Sequence, residues 1–338
     1  MVLPPLPSKQ RLDYLDRFSD EFISRRQFAL ERYINLVLAH PSLYASPMVK
    51  KFLEEEFWTP EAYVGASMAA AEKEGLIDSV SDKLLNAFTK VKKPDPRFID
   101  VQQQSIIYED NIATIEKYAH RLITAYTDLS TDLHTFSLAM AEVAAQETVH
   151  GASLGHFSQS CEADSKLVKE LMQAEDQMLM GFLHEQLGYC KSVKDTLKAR
   201  DAKQMDFEGL TEYLGQQQQE YERLQNPNSR GSSGNLTQML RGKLDELKGG
   251  DPEQLRQQRL MKLEQKIAEL RKAVEQSNEV NVKFSEEVVR ELQRYQTTKE
   301  REIKAMLQCT ARNNLQYFRS GAKTYEQLIR MLQPQGTQ

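Results

Sequence analysis

Glu147-Thr148-Val149-His150 is the chain's one Glu-x-x-His string, a spacing that puts both side chains on the same helix face. Carboxylate-bridged di-iron bundles use such pairs, but they need a second pair and two further inward glutamates. The remaining histidines, His40, His120, His134, His156 and His184, complete no second pair. Cys161, Cys190 and Cys309 stand too far apart for a disulfide framework or a zinc site and read as reduced, structural thiols. No phosphate-cradling glycine loop, Gly-x-Ser-x-Gly elbow or strand-turn-helix context for a nucleophile is expected. The sequence therefore predicts no catalytic residue, no metal site and no cofactor.

The chemistry that remains is charge. Lys191, Lys194, Lys198, Arg200 and Lys203 follow one another, and Arg256, Arg259, Lys262 and Lys266 form a second group, extended by Arg271 and Lys272. Net charge is −5, so the whole chain is not drawn to anionic surfaces, and any such attraction must be local. Near an anionic leaflet each Lys or Arg contributes about 1 kcal/mol, so a handful suffices for reversible attachment. The competing use is i,i+4 pairing with acids such as Asp195, Glu264 and Glu269. Nucleic acid is not an expected partner, because interleaved aromatics and a basic balance are both lacking.

A second surface element is an amphipathic stretch over 75–92. Leu76, Ile77, Val80, Leu84, Phe88 and Val91 share one face, and Asp78, Asp82, Lys83 and Lys90 lie on the other. Lys90, Lys92 and Lys93 collect at its end. Such a helix can lie in a bilayer interface with its lysines reaching headgroups, or pack on a neighbouring domain.

Long helices must position these groups. Proline and glycine are concentrated at 4–7, 41–47, 94–96, 226–235 and 249–252. Between these breaks the pattern is helical, with segments expected at about 97–150, 156–225 and 252–332. The first carries Phe98, Val101, Ser105, Tyr108, Ile112, Ile115, Ala119, Leu122, Tyr126, Leu129, Leu133, Phe136, Met140 and Val143, alternating strictly by three and four. That is a coiled-coil seam about 70 Å long. Three such helices leave apolar stripe uncovered, so an antiparallel six-helix bundle of two chains is predicted. Ile112, Ile115, Leu122, Leu129, Leu133 and Phe136 are the expected dimer seam. Gly181, Gly188, Gly209 and Gly215 signal bends or close packing in the middle helix. No run of 18 apolar residues could span a bilayer, and the opening residues lack a signal-peptide pattern, so a cytosolic location is expected.

Pro4-Pro5-Leu6-Pro7-Ser8-Lys9, Asp16-Arg17-Phe18-Ser19, Arg25-Arg26-Gln27-Phe28-Ala29-Leu30-Glu31-Arg32-Tyr33 and Leu38-Ala39-His40-Pro41-Ser42-Leu43 together resemble the C-terminal half of a phox-homology (PX) domain. The helices that follow resemble a BAR domain, so the whole resembles a PX-BAR sorting nexin. This divides the chain into a partial PX domain at 1–58, a linker with the amphipathic helix at 59–96, and a BAR domain at 97–333. The resemblance implies an all-α, dimeric peripheral membrane protein that binds phosphatidylinositol 3-phosphate on endosomal membranes and senses or stabilises curvature. It further implies retrieval sorting, autophagy-related transport at the preautophagosomal structure, and pairing with itself or a related sorting nexin. Lipid contacts of the family fall on Lys9 and Arg26, while its sheet-borne arginine and aromatic motif has no match here. The alternative reading is a coiled-coil adaptor that binds proteins and never touches lipid.

Overall fold

A computed structural model describes residues 1–7, 19–54, 91–226 and 252–333. Every element among them is helical: α1 (Asp20–Ala39), α2 (Pro41–Tyr44), α3 (Pro47–Glu54), α4 (Pro96–Gln146), α5 (Gly151–Glu175), a π turn (Asp176–Met180), α6 (Gly181–Gln225) and α7 (Pro252–Leu332). The middle segment begins at Gly151, earlier than 156, and the π turn interrupts it immediately before Gly181. Lys9 and the amphipathic residues Leu76, Ile77, Val80, Leu84 and Phe88 lie outside the described residues.

Local chemistry sets the boundaries. Ser19 caps α1 by accepting from the Phe22 amide at 3.3 Å, an orphan donor of the first turn. His40 ends α1 and starts α2: its Nδ1 accepts from the Leu43 amide at 3.4 Å, and Pro41 takes the first helical position, where no amide is needed. Pro96 opens α4 likewise, beside Asp95, whose Oδ1 accepts from the Arg97 amide at 3.0 Å.

α4 and α5 form an antiparallel pair in a register written by small residues. Ser165 Oγ donates to the Ser130 carbonyl at 2.7 Å, and Ser130 Oγ returns a bond to the Ser165 carbonyl at 3.0 Å. One heptad along, Ser158 Oγ donates to the Ser137 carbonyl at 2.7 Å. One heptad further, a Cβ on Gly151 would stand 2.7 Å from the Ala144 carbonyl oxygen. Small side chains at these facing positions let the backbones approach more closely than leucine would permit, and the hydroxyls satisfy themselves on the neighbour's carbonyls.

The chain divides into two compact units. The first comprises Met1–Glu54, Asp100–Asp195 and Glu291–Gln338. Its core joins Ile112, Ala119 and Ile123 of α4 to Met180, Phe182 and Leu183, with Ile303 and Met306 of α7 packed against them. Each large apolar side chain buried here contributes about 1.5–3 kcal/mol. The three-four stripe of α4 is split by this packing. Ile112 is only 5% exposed and belongs to the protomer's own core. Leu133 is half-buried, whereas Ile115, Leu122, Leu129 and Phe136 are 43–48% exposed and recur every seven residues.

The second unit comprises Glu55–Ile99 and Thr196–Arg290. Phe98, Leu197, Leu210, Ile267, Leu270 and Val288 are its buried apolar residues among the described ones. Asn281 of α7 is buried among them and donates to Gln204 Oε1 of α6 at 2.7 Å.

Candidate functional site

Arg26 stands on α1 with its Nη1 donating to the Pro7 carbonyl at 3.2 Å, so the expected lipid ligand and the proline-rich opening are brought together. Its neighbours on the helix serve the bundle. Arg25 pairs with Asp176 of the π turn at 2.6 Å. Arg32 forks onto Glu185 at 2.6 and 3.3 Å and reaches Glu302 at 2.6 Å. Burial alone would make Arg32 more acidic, but the two carboxylates outweigh it and hold the guanidinium firmly protonated. Burial pushes the Glu185 carboxyl up from its ordinary value, and Arg32 opposes that.

The extreme N-terminus is a second tether that the sequence reading did not find. The Val2 amide donates to Glu291 Oε2 at 3.3 Å and the Leu3 amide donates to Ser192 Oγ at 2.7 Å. Pro5 lies against Gly188, where an added Cβ would stand 2.3 Å from the proline's Cβ. Gly188 inside a helix was the available signal, because an interior glycine costs stability unless something approaches closely. Glu291 is 1% exposed and also takes His40 Nε2 at 3.0 Å and Arg294 Nη1. Since His40 Nδ1 accepts from Leu43, the ring's proton sits on Nε2 and is donated to the carboxylate.

Between α1, the proline-rich opening and helices α4, α6 and α7 lies a cavity of about 840 Å³, all within the first unit. Its apolar wall includes Phe22, Tyr33, Met178, Met180 and Met306.

The basic candidates separate by burial. Arg200 is 5% exposed: its guanidinium lies 4.4 Å from the Phe98 ring centroid and bonds Ser285 Oγ at 3.3 Å and Asp201 at 3.2 Å. It is a buried cation in the core of the second unit. Arg256 donates to the carbonyls of Leu224 and Gln225 at 2.9 and 3.0 Å, capping the end of α6. Lys194 pairs with Glu109, and Lys266 donates to the Tyr213 hydroxyl from above its ring. Lys191, Lys198, Lys203, Arg259 and Lys262 are exposed. Lys191 and Lys194 belong to the first unit, the others to the second.

At the end of the amphipathic stretch, Val91 is half-buried and Lys92 is exposed: its amide and that of Lys93 donate to Glu208 at 2.7 and 3.2 Å, and its amine pairs with Glu212. The string Gly151-Ala152-Ser153-Leu154-Gly155, against expectation, does spell the Gly-x-Ser-x-Gly of a nucleophile elbow, but it follows a helix and forms the first turn of α5 with Ser153 exposed. It lacks the strand that gives the elbow its strained turn. Glu147 accepts from the Val149 amide at 3.0 Å, which occupies it at the α4–α5 corner.

Sequence comparison matches residues 1–56 to the PX domain model and residues 73–249 to the model described as Vps5 C terminal like. The chain is 33% identical to sorting nexin-4 of Gibberella zeae over 346 residues, covering 99% of this chain and 74% of that protein. It is 32% identical to sorting nexin-4 of Emericella nidulans, covering 97% and 70%. In fold it is similar to the SNX-BAR Mvp1 in its cryo-EM tetramer, with a TM-score of 0.57 at 18% identity, over 97% of this chain and 83% of that one. A PX-type opening joined to BAR-type helices, with relatives matched along nearly the whole chain, places this protein in the sorting nexin family.

Proposed function

We propose that this chain acts, without catalysis, as a dimer on phosphoinositide-containing endosomal membranes, with phosphatidylinositol 3-phosphate as the recognised lipid. There it senses or stabilises curvature for retrieval sorting and autophagy-related transport, moving between cytosol, endosome and preautophagosomal structure. The observation carrying this reading is the uncovered column Ile115, Leu122, Leu129, Phe136 and Val143 on α4, at a spacing of seven. Phe318, Tyr325 and Leu332 repeat that spacing on α7. Exposed apolar columns of heptad period are what a second helical chain covers. The second chain is another copy or a related sorting nexin.

Dimerisation doubles every weak lipid contact at high effective concentration. The exposed cations Lys191, Lys198, Lys203, Arg259 and Lys262 supply the leaflet attraction. Arg26 and Lys9 are the headgroup ligands in this reading, the guanidinium forking onto phosphate oxygens and the ammonium acting as a point charge. The stretch bearing Leu76, Ile77, Val80, Leu84, Phe88 and Val91 is the wedge.

Purified dimer should co-sediment with liposomes of phosphatidylserine and phosphatidylinositol 3-phosphate, less so as salt rises. Charge reversal at Lys191, Lys198, Lys203 and Lys262 should reduce sedimentation at least about tenfold at moderate salt. Folded dimer that stays in the supernatant at low salt would end this reading. The adaptor reading draws on Lys194, Arg200, Arg256 and Lys266 having partners inside the protein. Sedimentation indifferent to the charge reversals would favour it.

A further inference from the structure

The first unit carries two exposed apolar faces, and apolar spacing alone does not say which meets which. On α4 the face runs through Tyr118, Leu122, Leu129, Phe136 and Val143, and Ala125, Asp132 and Ala139 complete its alternating steps of four and three. On α7 it runs through Leu307, Leu315, Phe318, Tyr325, Ile329 and Leu332, and Ala311 and Ala322 fill the same rhythm. In seams of this coiled-coil kind, the charged residues that flank the apolar positions set partner choice and orientation.

Here the two flanks carry opposite charge. Residues 122–146 of α4 hold three acids, Asp128, Asp132 and Glu142, and no Lys or Arg. Asp128 and Glu142 each precede a residue of the face, and Asp132 lies in it between Leu129 and Phe136. Arg121, a cation near its start, is engaged over the Tyr118 ring at 5.5 Å. Residues 303–332 of α7 hold five cations against one acid, Glu326. Four of the cations, Arg312, Arg319, Lys323 and Arg330, directly follow Ala311, Phe318, Ala322 and Ile329, which sets them in one stripe beside the face. These three acids and four cations are exposed, and their side chains carry no hydrogen bond or ion pair among the described residues.

We propose, resting on the dimer reading, that the seam between two copies is crossed: α4 of each chain packs against α7 of the other, acid flank to basic flank. Pairing α4 with α4 would oppose acids to acids, and pairing α7 with α7 would oppose four cations to four. Two-fold symmetry repeats the crossed match, so unlike flanks meet twice in each dimer. The apolar faces supply the attraction, and the charges choose the partner helix.

The test compares self-association of four purified full chains by analytical ultracentrifugation at moderate salt. They are the wild type, an α4 reversal (Asp128→Arg, Asp132→Arg and Glu142→Arg), an α7 reversal (Arg312→Glu, Arg319→Glu, Lys323→Glu and Arg330→Glu), and the chain bearing both sets. Each reversal alone sets like against like in both seams and should weaken association at least about tenfold, a loss that shrinks at high salt. The chain bearing both sets should recover wild-type affinity within about threefold, because its flanks are again unlike. Unchanged association in either single reversal overturns the crossed seam, since a like-with-like seam keeps its charge relation when one helix is reversed. So does a double reversal no tighter than the weaker single one. Every altered side chain is exposed, and should circular dichroism show one reversal misfolded, the other decides by losing or keeping association. A wild type that stays monomeric at micromolar concentration ends the self-pairing reading and this one with it, leaving the faces to a related chain.

Discussion

At the scale of single residues, the fate of a charge depends on what faces it. Arg25 and Arg32 sit on the same helix as Arg26, yet they spend their guanidinium groups on Asp176, Glu185 and Glu302. Arg200, in a run of apparently equivalent lysines, is buried over an aromatic ring. The N-terminal tether rests on another such residue. Burial by itself raises the Glu291 carboxyl, but bonds from His40, Arg294 and the Val2 amide outweigh it and hold the group below its ordinary value. A depressed carboxyl contributes stability that is present above the unfolded value of about 4.3 and is lost as pH falls through the lower folded value. Hydrogen exchange at Val2 and Leu3, corrected for intrinsic rates, is therefore expected to keep its protection at pH 6 and lose it toward pH 3. In Glu291→Gln the protection at pH 6 should already be weaker by about 1–3 kcal/mol, with much of the acid dependence gone. A wild-type profile in that variant would show that the tether is held elsewhere.

At the scale of elements, two glycines separate close packing from open space. Gly151 has the Ala144 carbonyl where its Cβ would go, and a backbone atom cannot swing aside as a side chain can. Gly155, one turn later, has nothing within 4 Å. Gly151→Ala should cost about 1–3 kcal/mol by forcing α4 and α5 apart, lowering Tm by several degrees in a thermal melt. Gly155→Ala should instead raise stability by up to about 1 kcal/mol, through helix propensity alone. Equal effects would contradict the register in which Ser130, Ser137 and Ala144 face Ser165, Ser158 and Gly151.

At the scale of the whole molecule, the stripe on α4 is divided between burial and exposure. Ile112 and Ala119 bury themselves within the chain, while Ile115, Leu122, Leu129 and Phe136 stay exposed. Acid substitutions in the exposed column should therefore spare folding and abolish pairing. Leu122→Glu with Leu129→Glu is expected to shift the mass measured by light scattering from dimer to monomer, with the helical circular dichroism unchanged. Burying a leucine is worth about 1.5–3 kcal/mol, and two copies carry each change, so the loss in association should exceed a hundredfold. An unaltered dimer mass would place the interface elsewhere.

What the sequence determined alone was the helical architecture: where α4 and α7 begin, at Pro96 and Pro252, and the heptad period between the breaks. These are local properties, set by the missing amide of proline and by the spacing of apolar side chains within a few turns. The tertiary structure decided which half of the stripe turns inward, that Arg200 and Arg256 serve the bundle, and that Val2 to Pro5 dock on α6 and α7. The cavity of the first unit, lined from α1, α4, α6 and α7, belongs with these. Each of those outcomes depends on residues brought together from positions tens to hundreds apart, and no pattern of neighbours along the chain encodes which distant group will be the partner.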